Sequence, residues 1–275
     1  MSKKPLITMA RRAAVAVAVT ATLAGCATST TGSVTGSNRS QLLLVSEAEM
    51  VQASQQAFNQ RKSAAQSKGV LISSGADYNR VVNIMRRLST QVAHFRPDAA
   101  RWNWDLALIR NNDVNANVMP GGKVTVYTGL YQKLNLTDDE LAAVIGHEMA
   151  HALREHSREQ VSQQMAGDMA LSIGGSLLGL SGGMMDVAGI AKQLALDLPY
   201  SRTMETEADV FGLELAARAG YNPSAALTLW QKMAANGAGQ GSAFFSTHPS
   251  ASDRTARIQA ALPQVMPLYQ AARRK

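Results

Sequence analysis

The chain has 275 residues, of which 46% are hydrophobic and 17% charged, enough to bury a core without disulfide or metal staples. Its formal charge of +7 is front-loaded: Lys3, Lys4, Arg11 and Arg12 precede residue 26 without an acid, and the remainder carries 23 basic against 20 acidic groups. That balance, with no basic block interleaved with aromatics, excludes nucleic acid as an expected partner, and the single cysteine excludes a disulfide framework.

Residues 1–25 read as a secretory signal: a basic stretch (MSKKPLITMARR) and then an apolar run too short to span a bilayer stably. The run ends in Leu23-Ala24-Gly25-Cys26, which resembles the bacterial lipobox, so Cys26 is the expected lipidation site and the outer membrane, reached through that lipid, the expected location. Residues 26–40 are small and polar and read as a flexible tether, and 41–265 as the folded domain, with 266–275 as a C-terminal tail. Within the domain, Ser46 and Glu49 form a capping-box pattern for a helix through about Ser67. Asp77 is placed to cap a second helix that carries Val81, Met85, Leu88 and Val92, and Pro97 ends it. Trp104, Leu106 and Leu108 alternate with less apolar neighbours as in a half-buried strand, and 124–127 follows the Pro120-Gly121-Gly122 turn as another; together they suggest a small antiparallel sheet. From Thr137 onward the pattern is mainly helical. Residues 168–191 are apolar and glycine-rich: a helix pair on the core, a mobile segment beside the site, or, despite Asp168 and Asp186, a membrane span. The fold class expected is α+β, a mainly helical domain with a small antiparallel sheet beside the active-site helix.

The chemistry concentrates in His147-Glu148-Met149-Ala150-His151, an H-E-x-x-H motif in a helix that Thr137 and Glu140 cap and that Leu136 and Leu141 staple. Four residues apart, His147 and His151 share a face and converge on one divalent ion, with Glu148 beside them as a general base. With no thiolate in the folded part, the ligands must be nitrogen and oxygen, which suits one Zn²⁺ per chain. Downstream, Glu205 and Asp209 share a helix face, so one can complete the metal set while the other orients a ligand imidazole through its free N–H. Glu207 is out of phase and is expected to be exposed. His94 and His156 are read as non-ligands.

H-E-x-x-H followed by Ser201-Arg202-Thr203-Met204-Glu205-Thr206-Glu207-Ala208-Asp209 resembles the HtpX and CAAX-prenyl-protease family of gluzincin metallopeptidases, and with the lipobox its periplasmic lipoprotein (LoiP-like) branch. The resemblance implies that Glu205 is the third zinc ligand. It also implies that the Asn115-Ala116 and Pro120-Gly121-Gly122 stretch forms a strand that pairs with an extended substrate, and that His248 and Arg254 approach the active site as catalytic groups. Zinc endopeptidase activity on misfolded or unassembled envelope proteins follows from it. The alternative is a metal-containing chaperone or binding lipoprotein with latched or absent proteolysis, and His248 occupying the open zinc position would be such a latch.

Overall fold

The computed structural model describes residues 27–28, 33, 39–176, 186–196, 199–235, 243–248 and 253–274, with the side chains of residues 27, 28, 170–176 and 243 left out. The signal, Cys26 and most of the tether lie outside these residues, as does the middle of the 168–191 segment. In chain order the elements are β1 (Ala27–Thr28), β2 (Gln41–Leu42), α1 (Glu47–Ser67), β3 (Leu71–Ile72), α2 (Ala76–Ser89), β4 (Asp105–Ile109), β5 (Ala116–Met119), β6 (Lys123–Tyr127), α3 (Thr128–Lys133), α4 (Asp138–Leu153), α5 (His156–Ser176), α6 (Val187–Ala195), α7 (Arg202–Arg218), α8 (Ala225–Ala235), α9 (Ala243–Thr247) and α10 (Arg254–Ala272).

The fold is mainly helical α+β, as expected, but the sheet is mixed. Its order is β3-β4-β6-β5, and β4 runs parallel to β6, with Asp105 opposite Lys123 and Ile109 opposite Tyr127. The antiparallel partner of β6 is β5, joined to it by the hairpin at Pro120-Gly121-Gly122, where Gly121 and Gly122 take φ of +75° and +78°. The hairpin thus sits on the sheet edge: the chain passes from β4 to β5 at the edge, and β6 returns between the two, parallel to β4. A Cβ on Gly122 would lie 2.9 Å from the Trp104 ring, so that turn needs glycine for space as well as for dihedral angle.

α1 starts at the expected box, with Glu49 N–H donating to Ser46 Oγ and Ser46 N–H to Glu49 Oε2. Asp77 is not a cap: Gly75 holds that position at φ +95°, and Asp77 lies in the first turn of α2, where its carboxylate accepts from Tyr131 Oη at 2.9 Å. The C-terminal stretch expected as a tail is largely helix. α10 continues to Ala272 through Pro263 and Pro267, because Ile258, Ala261 and Val265 are buried and Leu268 and Tyr269 pack on the core.

α4 is the centre of the molecule. Every residue from Glu140 to Leu153 is buried, so the helix is enclosed on all sides rather than amphipathic. Its start is tied down by the capping box: Glu140 Oε2 accepts from the Thr137 N–H (2.8 Å) and Lys232 Nζ (2.7 Å), and Oε1 accepts from Thr228 Oγ1 (2.8 Å), binding the helix start to α8. Burial by itself raises the Glu140 pKa, but the hydrogen bonds from Lys232, the Thr137 backbone and Thr228 outweigh it and hold the carboxyl below its ordinary 4.5. A folded-state pKa below the unfolded one gives stability that is present above pH 4.5 and is lost as pH falls through the depressed value. Glu140→Gln is therefore expected to cost about 1–2 kcal/mol at pH 7. In urea melts at a series of pH values the gap to wild type should close in acid. A gap that stays constant down to acid pH would show that the charge is not what stabilises the helix start.

Candidate metal centre

Two helices bring the site together. α4 carries His147, Glu148 and His151; α7, capped by Ser201 Oγ accepting from Met204 N–H, carries Glu205 and Asp209. The helices cross with their backbones in contact, since a Cβ built on Gly212 would fall 2.6 Å from His147 N and 2.8 Å from Gly146 C. At that crossing His147 Nε2 and His151 Nε2 stand 3.1 Å apart. Glu205 Oε2 is 3.6 Å from the first and Oε1 is 3.4 Å from the second. All these side chains are at most 5% exposed.

This donor set fits a small divalent ion. Donors at about 2.0–2.1 Å in a tetrahedron are separated by roughly 3.3 Å along its edges, and the three separations bracket that value. Two imidazole nitrogens facing each other in a dry pocket cannot both be lone pairs without a cation or a proton between them. Burial holds the His151 pKa well below its ordinary value, so the ring is neutral and its nitrogen available as a ligand. Burial would raise the Glu205 carboxyl, but its contacts with His151, His248 and His147 outweigh that and hold it far below the usual range, so it is ionised and available too.

The remaining expected residues surround this core. Asp209 Oδ1 is 3.1 Å from His147 Nδ1, close enough to pair though without the alignment of a hydrogen bond. His248, just past α9, joins the cluster: His147, His151, Glu205 and His248 offer four ligand atoms within 4.8 Å of one another. Its Nδ1 is 2.8 Å from Glu205 Oε1, its Nε2 is 3.3 Å from Glu148 Oε1, and its ring stacks on Phe244. Arg254, at the start of α10, pairs through Nη2 with Glu205 Oε2 and through Nε with Asp209 Oδ2 at 2.8 Å, its guanidinium lying over the Trp230 ring. It clamps the two α7 carboxylates, joining Glu205 to Asp209. Asn115 and Ala116 line a cleft together with Glu148, Tyr200 and His248, and β5 forms its wall. Gly121 and Gly122 do not line it; they make the hairpin turn.

Three features escape sequence reasoning. Glu207 is buried, not exposed: it bonds His156 Nε2 at 2.8 Å and pairs with Arg154 and Arg39. His156, outside the ligand cluster as expected, is fully buried, with Nδ1 2.9 Å from His151 Nδ1. Tyr200 stacks on His151 at 3.9 Å and bonds Ser157 through its hydroxyl, holding the ring that its position just before the Ser201 cap gives no hint of. His94 stays apart from the metal cluster, as expected.

Comparison with known proteins agrees with this geometry. Residues 75–262 match the model of peptidase family M48. The chain is 42% identical over 163 residues to the mitochondrial metalloendopeptidase OMA1 of Schizosaccharomyces pombe, covering 58% of this chain and 47% of that one. It is 27% identical over 252 residues to the metalloprotease LoiP of Escherichia coli, covering 89% and 94%, and 28% identical over 159 residues to the metalloprotease YcaL of the same organism, covering 54% and 58%. The chain spans half or less of the length of the OMA1 relatives that head this comparison.

Proposed function

Since the chain belongs to peptidase family M48, we propose that it is a zinc-dependent endopeptidase acting on unfolded or unassembled proteins of a bacterial envelope. One observation carries the reading: buried His147, His151 and Glu205 converge at spacings suited to one tetrahedral ion, with Glu148 on the cleft side. Zinc held there would polarise a scissile carbonyl and acidify a water. The protein's own part is then positional. Glu148 takes the proton of the attacking water and returns it to the leaving amine. Asp209 and Arg254 hold His147 and Glu205 in place, and His248, beside Glu148, is the group available to a developing oxyanion.

β5 supports the substrate class. Among the described residues it pairs only with β6, so its outer edge is available to an extended chain through backbone bonds that read little sequence. Location at the outer membrane through a lipid on Cys26 rests on the lipobox, and among the described residues no helix is long and apolar enough to cross a membrane. A second reading, a latched metalloprotein, draws on His248, whose two nitrogens reach both Glu205 and Glu148 and so close the site between them.

The test is casein cleavage by the purified chain with metal analysis. About one zinc per chain, cleavage that ceases on chelation, and recovery on adding zinc back are expected. Stoichiometric zinc without cleavage of any unfolded substrate would favour the latched reading, and absence of bound metal would end both.

A further inference from the structure

We infer that Arg39, from the segment that precedes the matched family region, is a positioning residue for the metal site, acting on His151 through Glu207 and His156. The inference rests on the metal reading above and deepens it.

The geometry fixes the direction of every bond in this chain of contacts. His151 Nε2 faces the ligand cluster, so to serve a metal it must be bare, which leaves the ring proton on Nδ1. That proton can be donated only to an acceptor, and His156 Nδ1 lies 2.9 Å away. His156 then carries its own proton on Nε2, 2.8 Å from Glu207 Oε2, which accepts it. A carboxylate fixes the tautomer of one imidazole, and that imidazole fixes the next, one ring longer than the usual carboxylate–histidine–metal arrangement. On an unbroken helix, residue 156 would point roughly 140° away from residue 151. It faces His151 because the helix breaks between α4 and α5, where Glu155 takes φ +53° and turns the chain.

Glu207 can orient His156 only if its carboxylate is itself held in place, and that is where Arg39 enters. Glu207 and the adjacent Glu159 are both buried acids. Arg154 gives Glu207 one cationic partner at 3.2 Å. Arg39 supplies the second: Nε is 3.0 Å from Glu207 Oε1, and Nη1 and Nη2 grip Glu159 at 2.5 and 2.6 Å. Two residues later Gln41 bonds Glu159 and the Arg154 carbonyl, and β2 pairs with β1. Residue 39, expected to lie in a flexible tether, is thus anchored behind a metal ligand. A bidentate guanidinium bridging two acids is a contact lysine does not reproduce.

The experiment is a double-mutant cycle on zinc affinity in the full-length chain, read by chelator competition, with the melting temperature of the metal-free protein measured alongside. His156→Phe should weaken zinc binding about 10–100-fold and Arg39→Ala about tenfold, with Arg39→Lys between Ala and wild type. The double variant should bind within about threefold of His156→Phe alone, because both act through the same ring. Wild-type affinity in Arg39→Ala, or losses that multiply in the double variant, would overturn the inference while leaving the metal reading intact; no zinc on the wild type would overturn both. Should either replacement lower the metal-free melting temperature markedly, Arg39→Gln and His156→Asn disturb the same contacts less and carry the cycle to the same decision.

Discussion

Replacing Glu148 by glutamine is expected to lower kcat/KM on an unfolded substrate by at least about a thousandfold while leaving about one zinc per chain. The two side chains have the same shape, so the cavity is preserved; what is lost is a basic oxygen. Glu148 is 2% exposed and its Oε1 lies 3.3 Å from His248 Nε2, on the cleft side of the ligand set. General acid–base catalysis by a placed side chain is worth roughly 10²–10⁴-fold, and a residue that both removes and returns the proton loses on each transfer. Cleavage and zinc content measured on the same preparations separate the possibilities. A variant that cuts within tenfold of wild type would remove Glu148 from the proton path, and one that loses its zinc would show that the residue shapes the metal site instead.

Gly212→Ala should be as damaging without touching a chemical group. The added methyl would fall 2.6 Å from His147 N and 2.8 Å from Gly146 C and His147 Cα, all backbone atoms of α4 that cannot rotate away. Overpacking of a rigid core costs typically 1–3 kcal/mol and more where backbone must move, so we expect a loss of about 3 kcal/mol. The strain is delivered at His147 itself, so the helices separate where the ligands meet. Zinc affinity should fall together with the urea midpoint. A stable, fully metallated Gly212→Ala protein would mean that the close crossing does not set the ligand spacing.

These two residues mark what the sequence makes legible. His147, Glu148 and His151 are readable because their spacing is fixed by one helix, and Glu205 and Asp209 because a second motif repeats the same logic. Gly212 offers a faint signal, an isolated glycine within a helical pattern, which points to close packing but not to what is packed. Arg39 and Glu207 are 168 residues apart, and no local pattern reveals that a seemingly solvent-facing acid has a cation waiting for it. Of the sheet, β4 and β6 were legible as strands, β5 only through the resemblance and the two-residue β3 not at all, and the pairing was not legible: alternation identifies a half-buried strand and says nothing of its direction. The direction follows from β6 returning between β4 and β5, a long-range outcome.

On the proposed reading, in which an extended substrate pairs with β5, that edge also shapes what the cleft can accept. β5 offers its partner a row of backbone groups in which every second residue of the incoming chain must present its N–H. Proline has none to offer, so a proline arriving in one register breaks the ladder and the same proline one residue along does not. The grammar imposed on a guest chain is therefore one of parity: which residues alternate inward, and whether proline falls on the odd or the even places, rather than which side chains flank the bond.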